Sequence, residues 1–265
     1  MTMAMTIRNT VSLTRRNLVH ISREPVQLSD ATIQPVLLTV IFVYLFGGAI
    51  PVSGGSYTDY ILPGLLVLNL TISCQGTAVG VASDLHEGII ERFRVLPMWR
   101  PSVLAGRSLA DLATNCLAAA VVAVTGLAVG WRTSARPLAI LGGFALVLFF
   151  AYSLSWAGAC AGLISKSPES AASLGVIVLF PFAFVSNAIV PTRHMPGWLQ
   201  AITDWNPVSA VTAGTRRLWH NPDPSASIGA WPMQHPVEAS LAWSVLILAV
   251  AAPLASWLFR RRTTE

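Results

Sequence analysis

Apolar residues in this chain do not alternate with polar ones but gather into long blocks parted by short polar intervals. Six blocks, 33–50, 60–82, 103–130, 138–164, 171–190 and 237–259, reach about the length a helix needs to cross a hydrocarbon layer of about 30 Å. They predict six transmembrane helices. The first block is longer than the core of a cleaved signal and is followed by further spans, so it reads as a retained anchor.

The intervals carry their own patterns. Before the first block, Ile7, Val11, Thr14, Leu18 and Ile21 fall within about 40° of one line at a helical 100° per residue. Arg8 and Arg15 flank that line, with Arg16 and Arg23 nearly opposite. This predicts an amphipathic helix over 1–25 lying in the membrane interface, its arginines on headgroups, ended by Glu24-Pro25. A helix docked on a soluble partner would carry the same stripe. The interval before the last block predicts two short helices, 196–205 and 207–219, neither long enough to cross. With Trp198, Trp205 and Trp219 as interfacial anchors, 191–220 reads as a re-entrant helical hairpin, a plain outer loop being the alternative that its apolar content disfavours.

The interval after the second block is the most highly charged. Over 84–97, Leu85, Ile89, Phe93 and Leu96 cover one helical face within about 80°, while Asp84, Glu87, Glu91 and Arg94 gather opposite. Arg92 falls among the apolar positions, and Pro97 ends the helix. The pattern predicts about three turns seated under the bundle with the charged face turned away from the membrane. A solvated connector would look alike. The fold class is therefore an all-α integral membrane protein, a single domain over 1–265 with six spans, an interfacial first helix, a helix at the charged interval and a re-entrant hairpin.

Composition agrees. Charged residues make up 11% of the chain and apolar ones 54%, too little charge to clothe a soluble surface. The net charge of +5 is informative through its distribution. Arg8, Arg15, Arg16, Arg23, Arg92, Arg94, Arg100, Arg107, Lys166, Arg260, Arg261 and Arg262 fall on one side of the predicted spans. Arg132, Arg136, Arg193, Arg216 and Arg217 fall on the other. The bias places both termini and the charged interval in the cytoplasm, and nothing in it calls for nucleic acid.

Catalytic machinery is missing from the sequence. Cys74, Cys116 and Cys160 lie in separate blocks, and there is no HExxH, GxSxG or paired-carboxylate constellation, so no metal site and no enzyme is expected. The one lysine, Lys166 in "GLISKS", lacks the glycine of a phosphate-binding loop, so if ATP drives this protein another chain must bind it. Within the spans, Arg107 and Asp111 stand four residues apart and are expected to form an intramembrane ion pair; a proton relay at Asp111 is the alternative. Uncharged polar and aromatic positions give a candidate substrate path, with hydrogen bonding and packing between helices as the alternative role: Asn69 and Ser73 on one face, Tyr152 and Trp156, Phe180 and Phe184 around Pro181 in "FPFAF", and Asn187. Pro181 is expected to kink the fifth span in its middle.

The stretch "EGIIERFRVLPMWRPSVLAGR", residues 87–107, resembles the cytosolic motif of type-2 ATP-binding-cassette export permeases of the daunorubicin-resistance kind: an acidic residue, an apolar pair, then E-R/K-hydrophobic-R-V-hydrophobic-P. The stretch "VPTRHMPGWLQAITDWNPVSAVTAGTRRL" resembles that family's outer helices. The resemblance implies a permease that pairs with a second permease chain, identical or homologous, and with two ABC ATPase subunits that bind ATP and magnesium, no cofactor being held by this chain. It maps a coupling helix for the ATPase onto Glu87, Gly88, Glu91, Arg92, Phe93, Arg94, Val95, Leu96 and Pro97. It further implies export of a hydrophobic or amphipathic compound, a drug, polyketide or lipid-like molecule, across a bacterial plasma membrane. Relatives that export polysaccharides or glycolipids keep a second cargo class open, and an ion-coupled secondary transporter would need midplane carboxylates, for which only Asp111 is available.

Overall fold

Proline sets where the helices begin. The structure, a computed structural model, describes residues 25–47, 50, 52, 55–87, 101–192, 195–224 and 230–262, and over these it is helical with no strand. The elements are α1 Pro25–Phe46, α2 Tyr57–His86, α3 Pro101–Ala128, α4 Pro137–Ile164, α5 Pro168–Phe184, α6 Gly197–Trp205, α7 Pro207–Trp219, α8 Trp231–Gln234 and α9 Pro236–Arg262. Pro25, Pro101, Pro137, Pro168, Pro207 and Pro236 each open a helix, where the missing N–H costs nothing and the fixed φ already suits the first turn. The expected interfacial helix over 1–25 lies outside the described residues but for Pro25, which opens α1.

Caps fix the other starts. Ser56 accepts from the Asp59 amide at 3.1 Å ahead of α2, and Ser167 and Ser170 exchange reciprocal bonds ahead of α5. By length and apolar composition, four helices can cross a membrane: α2, residues Leu104–Ala128 of α3, α4 and α9. The first and fifth expected spans contribute the shorter apolar stretches Ala31–Phe46 and Pro168–Phe184. The fifth ends six residues before the expected 190, so Pro181 lies in its last turn and does not kink it mid-span. The chain instead turns irregularly through 185–190, and the carbonyls exposed there are taken up by side chains from the outer hairpin.

Helix α2 lies at the centre, packed by α1, α3, α4, α5 and α7. Its approach to α4 depends on small residues. A Cβ on Gly158 would meet the Cys74 carbonyl oxygen at 2.5 Å, and one on Gly162 the Ala78 oxygen at 2.4 Å, so the two backbones touch along one turn-by-turn seam. The outward faces of the long helices are apolar, as Val124, Leu138, Leu141, Val245 and Val250 show, which suits a hydrocarbon surround.

Two outer helices stand where the sequence placed them, joined by Asn206. On α6 the amphipathicity is inverted: Trp198, Ile202 and Trp205 are exposed while Thr203 and Asp204 are buried. Trp219 departs from the expectation of an interfacial anchor. It is 1% exposed, packed in tilted contacts between Trp131 and Phe144, with its Nε1 donating to the Ile140 carbonyl at 3.0 Å. Gly143 opens the space, since a Cβ there would lie 2.2 Å from that nitrogen. An indole this deep holds α7 against α4 and does not reach headgroups.

Candidate functional site

The charged interval joins two long helices in sequence. Helix α2 runs on through Asp84 and His86 and is closed by Glu87, whose N–H bonds the Ser83 carbonyl at 2.9 Å and whose carboxylate accepts from Ser83 Oγ at 3.0 Å. A separate helix therefore cannot begin at Asp84, as 84–97 was expected to; its first residues belong to the last turn of α2. Gly88, Glu91, Arg92, Phe93, Arg94 and Pro97 lie outside the described residues, and the chain is described again from Pro101, the first residue of α3.

Close to this interval, α2 and α3 are cross-linked by polar side chains. Arg107 Nη1 donates to Asp84 Oδ2 at 3.0 Å, so the arginine pairs across the helices and not with Asp111 four residues along its own helix, the expected partner. Asp111 Oδ2 instead accepts from Thr77 Oγ1 at 2.8 Å. One rung further in, Ser73 Oγ donates to Asn115 Oδ1 at 2.7 Å. The local i, i+4 rule loses here because Asp84 lies within reach of the guanidinium at the more hydrated end. Gly80 makes this possible, since a Cβ on it would sit 1.6 Å from Arg107 Nη2.

The candidate path residues fall into separate neighbourhoods. Ser73 faces Asn115, and Asn69 Nδ2 returns to the Leu65 carbonyl of its own helix at 2.8 Å. Trp156 is buried with partly buried Tyr152 against Val81, Leu104 and Phe259, inside the bundle near the charged end. Phe180 and Phe184 stack at 4.8 Å between ring centroids and are 46% and 48% exposed. Asn187 is fully buried at the hairpin end.

At that hairpin end lies a cluster the sequence did not announce. Arg216, 0% exposed, donates Nε to the Tyr60 carbonyl at 3.0 Å and Nη2 to the Asn187 and Ala188 carbonyls at 3.1 Å each. Its guanidinium lies 3.7 Å from the centroid of the Tyr60 ring. Tyr60 Oη donates to the same Asn187 carbonyl at 2.7 Å, and Ser209 Oγ accepts the Asn187 N–H at 3.0 Å. Asn206 caps α7 through Val208 N at 2.8 Å while its Nδ2 donates to the Phe182 and Val185 carbonyls. The frayed end of α5 is thus satisfied from α2 and the outer hairpin, with a cation at the negative end of a helix.

The match to the ABC-2 type transporter family runs over residues 8–218, taking in the charged interval and nearly all of the outer hairpin. The chain belongs to the ABC-2 type transporter family. A daunorubicin resistance ABC transporter permease of Streptomyces coeruleorubidus is 35% identical to this ABC-2 chain over 241 residues, 91% of the chain and 82% of the relative. A probable doxorubicin resistance ABC transporter permease of Mycobacterium tuberculosis is 24% identical over 261 residues, 98% of the chain and 91% of that protein. A probable multidrug ABC transporter permease of Escherichia coli is 26% identical over 216 residues, 78% of the chain but 53% of its own length. An ABC-2 permease is a multi-pass membrane component of an ABC transporter, whose ATP hydrolysis belongs to separate ATPase chains.

In the sequence Arg216 is one of two adjacent outer cations. Helical spacing does separate them: Arg216 projects with Ser209, Thr212 and Trp219, all buried, whereas Arg217 is exposed. For Gly80 and Asp84 no local signal existed, since their roles appear only when α3 is laid beside α2.

Proposed function

We propose that this ABC-2 chain is the permease subunit of an ATP-driven exporter of a hydrophobic or amphipathic compound, working with two ATPase subunits and a second permease chain in a bacterial plasma membrane. The observation that carries the reading is that the charged residues 88–97 fall in sequence between the end of α2 and the start of α3, two of the helices long and apolar enough to cross. Both termini and this interval face the cytoplasm in this reading, in keeping with the arginine distribution. Within 88–97, Glu91, Arg92 and Arg94 engage the ATPase, and rigid-body motion of that partner passes into α2 and α3. The hairpin α6–α7 is re-entrant, its inverted helix α6 turning Trp198, Ile202 and Trp205 to the outer leaflet.

The drug-resistance names of the relatives support an apolar cargo. So does the exposed stack of Phe180 and Phe184, which offers ring faces to an apolar or aromatic molecule; Tyr152 and Trp156, packed in the bundle, do not line that surface. A polysaccharide or glycolipid cargo would call for donors and cations along the path. An ion-coupled mechanism would rest on Asp111, and Asp111→Asn abolishing transport while the ATPase turned over normally would favour it. The deciding experiment is purification of the detergent-solubilised chain with ATPases encoded beside it. Recovery of an ATPase whose hydrolysis the permease stimulates is expected, and its absence overturns the reading. Glu91→Ala and Arg92→Ala are expected to leave hydrolysis and lose export; unchanged export in both removes the coupling role of 88–97.

A further inference from the structure

The cross-links between α2 and α3 form a register. Ser73, Thr77, Gly80 and Asp84 recur at intervals of four, three and four residues and fall within about 60° of one line on α2. Arg107, Asp111 and Asn115 recur every four residues on α3. The helices run antiparallel, and the pairs are Ser73–Asn115 at 2.7 Å, Thr77–Asp111 at 2.8 Å and Asp84–Arg107 at 3.0 Å, with Gly80 as the recess that admits the arginine. Sliding either helix by one turn would mispair every rung and drive the guanidinium against the next side chain. Outside this ladder the contact is apolar, Leu62 seated over Gly126 and Ala118, Ala119 and Val122 clustered with Leu66 and Leu70, so the ladder supplies the directional contacts between the two helices.

The ladder reaches the ends of α2 and α3 that flank the charged interval in sequence: Asp84 lies three residues before the cap Glu87, and Arg107 six after Pro101. We propose that Ser73, Thr77, Gly80 and Asp84 with Arg107, Asp111 and Asn115 lock α2 and α3 into one lever, so that displacement of the interval between them is delivered as tilt of both helices and is not dissipated as sliding of one past the other. The inference rests on the coupling role proposed for 88–97. These are positioning residues: none need touch cargo or ATP, and their effect is on how much transport each hydrolysis event yields.

Gly80→Ala is the sharpest probe. It adds one methyl where Arg107 Nη2 now lies, moves only the end of a flexible side chain, and leaves every charge in place. Asp84→Asn, Arg107→Gln, the double variant and Arg107→Lys complete the set. Each is reconstituted with its ATPase in lipid vesicles, and ATP hydrolysis and export of a fluorescent apolar amine are followed together. Hydrolysis is expected to stay within about twofold of the parent, while export per ATP falls at least tenfold in Gly80→Ala, Asp84→Asn and Arg107→Gln. The double variant is expected to be no worse than either single change, and Arg107→Lys to recover part of the loss. Export per ATP unchanged in all three single variants overturns the lever, as does hydrolysis and export falling in equal proportion, which would mark a merely structural ladder. If the parent itself neither binds nor stimulates an ATPase, the coupling reading falls and the lever with it; a coupled parent with coupled variants sinks the lever alone.

Discussion

Arg216→Met removes a buried cation while keeping most of the volume it fills. The guanidinium serves three main-chain carbonyls, those of Tyr60, Asn187 and Ala188, and rests on the Tyr60 ring. Charge-assisted hydrogen bonds contribute about 1.5–3 kcal/mol each and a desolvated cation–ring contact about 2. Against this stands the cost of taking the guanidinium out of water, several kcal/mol. After substitution the Asn187 carbonyl keeps the Tyr60 hydroxyl at 2.7 Å, and the Tyr60 carbonyl keeps its helical donor. The Ala188 carbonyl loses Nη2, and methionine restores no polar contact.

Removing one partner of such a buried set costs about 3–5 kcal/mol, and the methionine, which leaves little cavity, should fall near the lower figure. At about 2–4 °C per kcal/mol for a chain of this size, the melting temperature should drop by about 6–12 °C. Tryptophan fluorescence during thermal unfolding in detergent is the assay, since Trp131 and Trp219 lie 5.1 Å apart between ring centroids and Trp219 is on α7 with Arg216. Arg216→Lys keeps the charge but not the planar fork and should lose about half as much. A methionine variant melting within about 2 °C of the parent would refute the reasoning, because the guanidinium would then recover no more than it costs to bury.

Asn206→Ala should cost about 2–4 kcal/mol, as it loses both the cap of α7 and the two bonds to the end of α5; a chemical-denaturation midpoint against Asn206→Asp, which keeps the cap, separates the two losses. Gly158→Ala should cost about 1–3 kcal/mol, because its methyl meets main chain of α2 and not a movable side chain, whereas Gly76→Ala, inside α2 with open space, should stabilise by about 0.5–1 kcal/mol in the same melting assay. On α6, burial pushes the Asp204 carboxyl above the ordinary carboxylate range, and its Oδ1 has no hydrogen-bond partner among the described residues. A raised folded-state value means stability is fullest below about pH 3.9, the unfolded value, and is lost as pH rises through the folded one. Asp204→Asn should therefore melt higher than the parent at neutral pH and flatten the pH dependence of melting; a variant no more stable at neutral pH counts against it.

What the sequence made legible was what one segment decides alone. The apolar blocks located α2, α3, α4 and α9, because hydrocarbon-length runs leave no other choice, and Asn206-Pro207 divided the hairpin because a cap and a proline act on their own helix. What stayed hidden depends on two segments meeting. The end of α5 at Phe184 is set by Asn206, 21 residues beyond Val185, and no pattern within 171–190 shows it. Arg107 was assigned to Asp111 because spacing along one helix is all a sequence displays, yet Asp84, 23 residues away, was nearer to its charge. Trp219 looked like a surface anchor until Gly143 was seen to leave room for it.

The two ends of α2 solve the same problem differently, and the difference has a mechanical consequence. At the hairpin end a fully buried arginine is held by carbonyls of three residues, an arrangement that tolerates little displacement before a bond is lost. At the charged end the Arg107–Asp84 pair, 21% and 25% exposed, ties α2 to α3 and so travels with the two helices when they move together. A helix of 30 residues is about 45 Å long, and a tilt of about 5° about its fixed outer end moves the other end by about 4 Å. Such a tilt leaves the Arg216 cluster intact and keeps α2 and α3 in register, while α2 shifts along its Gly158 and Gly162 seam on α4. Motion introduced at the charged interval is thus cheapest when α2 and α3 pivot together about the outer clamp, and the same clamp keeps the end of α5, with its exposed phenylalanines, in place while they do.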